Sequence, residues 1–253
     1  LPRPDTADIN AKYQYLEQHE SAALEFGAAK ASDPLRAREL YRLLAPWLPR
    51  QRCDVLDYGG GNGRLLGEFL AAGHDCHLVE LVDEALDGIA YLGPDIGQLE
   101  QRFDVLICSH VLEHLAEPLD AVRELSAQLK PDGILYVEVP NEIWGKIPPG
   151  EDPVTHINFF SADSMRSLLE AAGLDPALCR YAPFIRPNGK VGEAIKAISR
   201  PGTCAVTPAF HGPGQVEKLE RGGMMRKSAR ALRQQVYLGN FFRRRDAGNV
   251  ENM

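Results

Sequence analysis

Four glycines within five positions, Gly59, Gly60, Gly61 and Gly63, follow the apolar run Val55-Leu56 and the carboxylate of Asp57. Glycines in such a loop let the backbone turn tightly and approach a ligand with no Cβ in the way. The residues after them, Arg64 to Leu70, read as a helix whose first N–H groups are free to meet a ligand. A second carboxylate, Glu80, lies 21 positions after Gly59 at the end of the next apolar run, where its two oxygens can accept from both hydroxyls of a ribose. Each of these residues alone is a turn or a solvated side chain; their order along the chain is what marks a nucleoside site.

The loop is not the dinucleotide fingerprint. G-x-G-x-x-G from Gly59 needs a glycine where Arg64 stands, and from Gly61 one where Leu66 stands. Asp57, immediately before the glycines, is also poorly placed beside a dianionic pyrophosphate. A zwitterionic or cationic nucleoside, such as a sulfonium compound, suits it better.

Two histidines carry proton-transfer chemistry. His156, in Thr155-His156-Ile157-Asn158-Phe159-Phe160-Ser161, is the first candidate for a general base, and His110, at the end of the run Phe103 to Cys108, is the second. Ordering of the loop and capping of the following helix is an equal alternative for His156. Asn141, Glu142 and Trp144 are candidates for the wall of an acceptor pocket, and Tyr13 and Tyr15 for a lid.

These residues need a scaffold, and from Cys53 onward short apolar runs alternate with helix-like stretches, the mark of βαβ units and a parallel sheet. Strands are expected at 54–58, 76–80, 103–108 and 134–139. Leu119, Val122, Leu125 and Leu129 repeat at helical spacing and should form one helix face, closed by a turn at Lys130-Pro131-Asp132-Gly133. Ser161 should cap a helix that carries Met165, Leu168 and Leu169 and ends at Gly173. The segment 7–31 and a stretch opening at Asp33-Pro34 should also be helical. The expected organisation is a helical extension or lid over 1–50, a Rossmann-like, mostly parallel α/β sheet with helices on both faces over 51–190, and a basic, partly helical segment over 191–253.

The chain of 253 residues can bury one large core, and its 44% hydrophobic and 25% charged content is that of a globular protein. Net charge is -7, but residues 1–185 hold 15 basic against 30 acidic side chains, whereas 186–253 hold 13 against 5. Such a tail is more often a solvated face or an oligomer contact than a nucleic-acid site, and nucleic acid is not the expected partner. Five scattered cysteines with no CxxC pair argue against disulfides and against zinc, so no metal is expected and a reducing cytoplasmic setting fits. No run reaches the roughly 20 apolar residues of a membrane span, and a chain opening at Leu1 is expected to have lost its initiator.

Three motifs in order, Val55 to Gly63, Phe103 to Leu115 (with Leu112-Glu113-His114) and Leu129 to Asn141, give the chain its resemblance to class I S-adenosylmethionine-dependent methyltransferases of the small-molecule group. The resemblance covers about residues 50–175. It implies that Asp57, Gly59, Gly61 and Gly63 surround the methionine part of S-adenosylmethionine, that Glu80 takes the ribose, that Asp95 or Ile96 flanks the adenine, and that Ser109 and His110 line the pocket. Glu113-His114 is expected to shape the pocket. The implied activity is methyl transfer to a small acceptor, a sugar or secondary metabolite, with oxygen preferred because of His156. Aminopropyl transfer, on the strength of the triple glycine, and a non-catalytic scaffold using the basic tail are the alternatives.

Overall fold

A computed structural model describes residues 33–49, 51–141, 156–185 and 191–202. The expected helix over 7–31, Tyr13, Tyr15, Glu142, Trp144 and the basic stretch beyond 202 lie outside the described residues.

Helix α1 (Asp33–Leu44) buries Ala37, Leu40 and Leu44, one stripe at helical spacing, and Pro46 follows in a 3-10 turn. Strand β1 (Asp54–Tyr58) runs into the glycine loop, then a 3-10 turn at Arg64–Leu66 and a short helix α2 (Gly67–Ala71). Strands β2 (Asp75–Val79), β3 (Ile89–Tyr91) and β4 (Phe103–Ser109) precede helix α3 (Pro118–Ala127) and strand β5 (Leu129–Pro140). Helix α4 (Ala162–Ala171), capped by Ser161 through a reciprocal bond with Ser164, ends as expected before Gly173 at φ 80°. Strands β6 (Leu174–Ile185) and β7 (Val191–Pro201) complete the sheet.

The seven strands lie in the order β3-β2-β1-β4-β5-β7-β6, with β1 to β5 parallel and β7 antiparallel to both neighbours. Successive strand residues point to opposite faces. Leu56, Leu106, Leu135 and Val137 therefore pack with Val122, Leu125, Met165 and Leu169 of α3 and α4. Val55, Val105, Ile107, Ile134 and Tyr136 pack on the other face with Leu40, Leu44 and Phe69 of α1 and α2. Helices cover both faces, which is the expected Rossmann-like arrangement.

Three expectations are corrected. Leu129 leaves the helix and opens β5, where it pairs with Phe103; an irregularity in the β4–β5 ladder absorbs Lys130 to Gly133. Gly133 is required there because a Cβ would stand 2.8 Å from the Phe103 carbonyl oxygen. A further strand, absent from the four expected for this stretch, forms at Ile89–Tyr91, and residues 80–88 join it to β2 without a helix. The sheet also continues to Pro201, past the boundary expected at 190.

The chain reverses direction of travel across the sheet between β1 and β4, from which β2 lies on one side and β5 on the other. Ligands of open α/β sheets sit outside the carboxyl ends of the strands at such a point. Asp57, Glu80 and Ser109-His110 all stand at those ends.

Candidate functional site

The loop after β1 is shaped by conformation as much as by composition. Gly59, Gly61 and Gly63 have φ of 68°, 62° and 81°, a region that side chains disfavour. A Cβ on Gly59 would meet Val111 Cγ2 at 2.6 Å, and one on Gly63 would meet Ile89 Cδ1 at 2.6 Å. On Gly60 it would collide with the Asp57 carboxylate, whereas Gly61 faces open space with nothing within 4 Å. The turn thus presents bare backbone outward at Gly61 and closes down on Asp57 at Gly60.

Asp57 is fully buried, and neither carboxylate oxygen has a hydrogen-bond partner. Burial, then the charge of Glu80, push its pKa up to about 7. A buried polar group without a partner is costly, and a cationic ligand seated over the loop would remove that cost. Glu80 holds the rim: one oxygen accepts from Gly61 N and the other from Leu81 N, each at 2.8 Å. Carboxylate oxygens have two acceptor sites each, so capacity remains for the two hydroxyls of a ribose. Beside it Leu81, Val82 and Leu86 stand exposed on the helix-free 80–88 segment.

Of the pair expected at the adenine, Ile96 is buried in the core, whereas Asp95 is exposed and caps a 3-10 turn, accepting from Gly97 N at 2.9 Å. Ser109 and His110 end β4 as expected, and both reach Glu138 of β5. Ser109 Oγ lies 3.3 Å and His110 Nε2 3.1 Å from Glu138 Oε1. His110 is the one described non-glycine residue at positive φ, 58°, and its other nitrogen, Nδ1, lies 3.3 Å from Glu113 Oε1. Burial opposes its charge, but the two carboxylates override burial and take its pKa up to about 9. A histidine held protonated in this way serves as a fixed cation rather than as a proton acceptor at neutral pH.

Glu138 collects further partners that were not foreseen. Lys196 Nζ is 3.1 Å from Oε2, the Tyr136 hydroxyl donates to Oε2 at 2.8 Å, and Arg36 of α1 lies 3.4 Å from Oε1. Burial opposes ionisation of Glu138, yet Lys196, His110 and Arg36 hold its pKa well below the carboxylate range. Arg36, Glu39, Ser109, Glu138, Phe184 and Lys196 line a cleft with about 20 Å³ of interior, room for roughly one water. Asn141, expected at the acceptor wall, is tied to Glu193 through its side chain at 2.6 Å.

His156 is brought to His114, their rings 4.7 Å apart edge to face, and to the carboxylate of Glu113. The segment is fixed by Ile157 N and Asn158 N, which donate to the Glu113 carbonyl at 2.9 and 3.1 Å. Asn158 Nδ2 donates to the carbonyls of Leu112 and Leu115 at 2.8 and 2.7 Å. His156 therefore does not stand alone, and His110, the second candidate, lies on the other side of Glu113.

Residues 29–177 match the family model described as a methyltransferase domain. The chain belongs to this family. A probable S-adenosylmethionine-dependent methyltransferase of Mycobacterium tuberculosis is 30% identical over 161 residues, 57% of this chain and 56% of that one. A ubiquinone biosynthesis O-methyltransferase of Actinobacillus pleuropneumoniae is 31% identical over 106 residues, 34% of this chain and 45% of that one. The chain thus spans about half the length of the curated relatives it matches. In fold, this methyltransferase domain is similar to the 1,6-didemethyltoxoflavin-N1-methyltransferase of Burkholderia thailandensis, solved with S-adenosylhomocysteine. The TM-score is 0.55 and the identity 20%, over 76% of this chain and 90% of that one. S-adenosylmethionine is the cofactor of the family, and the unpartnered Asp57, the open face of Gly61 and the carboxylate of Glu80 fit it.

Proposed function

We propose that this methyltransferase domain methylates a hydroxyl oxygen of a small acceptor. The observation that carries the reading is the cluster of His114, His156 and buried Glu113, built on the turn after β4, the strand beside the one that bears the glycine loop. Methyl transfer is an in-line displacement in which the bound cofactor supplies an activated methyl group, so the protein's task is to hold the acceptor collinear and exclude water. An acceptor hydroxyl must also lose its proton, and a histidine is suited to that near neutral pH. In this reading His156 takes the proton, and Glu113, charged and adjacent, favours the imidazolium that forms. The O-methyltransferase name of one relative supports the same choice.

The same reading extends to the cofactor contacts. Asp57 and the bare loop face the methionine end and Glu80 the ribose. Leu81, 67% exposed immediately after Glu80, offers an apolar surface to the base. His110 and Glu138, joined to Arg36 and Lys196, hold the end of β4 in place, with Ser109 on the pocket side. The names of the relatives give no support to aminopropyl transfer.

The test is transfer of a trideuteriomethyl group from labelled S-adenosylmethionine to a panel of sugars, catechols and quinols, read by mass spectrometry. The reading requires a product labelled on oxygen. Label appearing only on nitrogen or carbon across active acceptors would overturn it.

A further inference from the structure

Scattered cysteines gave no reason to expect a metal, yet the fold assembles a set of metal-type ligands from residues far apart in sequence. One ligand atom from each of Glu113, His114 and His156 lies within 4.8 Å of the others. Atoms bound about 2.1 Å from a common ion stand roughly 3 to 4 Å apart, so side-chain movements of under about 1 Å would close the set.

An independent observation points to a ligand there. The Glu113 carboxylate is 1% exposed, and its Oε2 has no hydrogen-bond partner. The imidazole nitrogens nearest it are His110 Nδ1 at 3.3 Å and His114 Nε2 at 3.9 Å. The backbone is also fixed beforehand: the bonds from Ile157, Asn158 and the Asn158 amide hold the His156 segment against the turn that carries Glu113 and His114. His110, braced by Glu138 on its far side, orients Glu113 as outer-shell partners orient metal ligands.

We propose that Glu113, His114 and His156 bind one divalent first-row transition ion, of the zinc or cobalt class. Two imidazoles and one carboxylate select such ions over magnesium and calcium, which take oxygen ligands. Three protein ligands leave at least one position open, and an acceptor oxygen is the group to fill it. That last role rests on the reading as an O-methyltransferase; binding of the ion does not. An imidazole nitrogen that ligates an ion cannot also take a proton, so His156 is the base in the ion-free chain, and in the loaded chain the ion would polarise the acceptor hydroxyl in its place.

The experiment uses the full chain without a histidine tag, stripped with chelator and titrated with Co²⁺ while visible absorption is followed, then challenged with Zn²⁺. One Co²⁺ per chain is expected, with d–d bands that Zn²⁺ abolishes. His156→Ala and Glu113→Gln, checked for folding by circular dichroism, should each weaken Co²⁺ by more than the roughly 10–100-fold of an outer-shell change. His156, being partly exposed, provides the reading if the buried Glu113 variant does not fold. No saturable band in the wild-type chain, or unchanged affinity in the folded variants, would overturn the site. Absence of S-adenosylhomocysteine binding in the same preparation would instead overturn the methyltransferase reading and leave the ion count as measured.

Discussion

Cofactor binding should depend on pH through one buried carboxylate. Asp57 has no hydrogen-bond partner, and its pKa is raised to about 7 by burial and then by Glu80. A ligand carrying positive charge prefers the ionised form, so binding draws the proton off. With a pKa of 7 in the free protein, roughly a tenth of the chains are ionised at pH 6 and nine tenths at pH 8. Affinity for S-adenosylmethionine should therefore rise about tenfold between those values, about 1.4 kcal/mol, and level off above pH 8. Titration calorimetry in buffers of different ionisation enthalpy reads both the slope and the release of about half a proton at pH 7. Asp57→Asn should bind more weakly and lose the slope. A flat profile in the wild-type chain between pH 6 and 8, or an Asn variant with the original slope, would refute the reasoning.

The same physics gives further expectations. His110, raised to about 9 from an unfolded value near 6.5, contributes stability that is fully present below pH 6.5 and is lost as pH rises through 9; thermal melts across that window test it. His110→Ala leaves two buried carboxylates without their shared cation and should cost about 3–5 kcal/mol by denaturant unfolding. Gly60→Ala should destabilise by about 1–3 kcal/mol because its methyl group drives into Asp57. Gly61→Ala should cost only about 1–2 kcal/mol in backbone strain, since its Cβ meets nothing, but should obstruct the cofactor. His156→Ala should lower kcat about 100-fold or more on a hydroxyl acceptor.

The glycine loop and its two carboxylates were legible in the sequence as one constellation because its parts are local. An apolar strand, a carboxylate, glycines at alternate positions, a second strand and the Glu80 that follows it lie within 26 residues. The rest of the site was not, because it is assembled across the fold. Arg36 meets Glu138 from 102 positions away, and nothing in either segment marks the pairing. His156 was visible as a histidine, but its neighbours in space, His114 and Glu113, come from the turn after β4.

The errors in the fold have similar causes. Leu129 continues a helical repeat, and an apolar residue at the junction of helix and strand satisfies both periods; the pairing with Phe103 decides. The β6–β7 hairpin carries Pro176 and Pro183, residues that a central strand does not hold. Both lie on β6, the last strand in the sheet order, and an edge strand has positions where a missing N–H costs no ladder bond. Strand β3 has only three residues, too few for a pattern to emerge.

Calorimetric binding of S-adenosylhomocysteine to the wild-type chain and to Glu80→Ala addresses the central assignment most directly. One molecule per chain is expected for the wild type, with affinity at least about tenfold weaker in the variant, since hydrogen bonds to a charged group contribute about 1.5–3 kcal/mol. No binding to the wild-type chain, or equal binding to both, would contradict it.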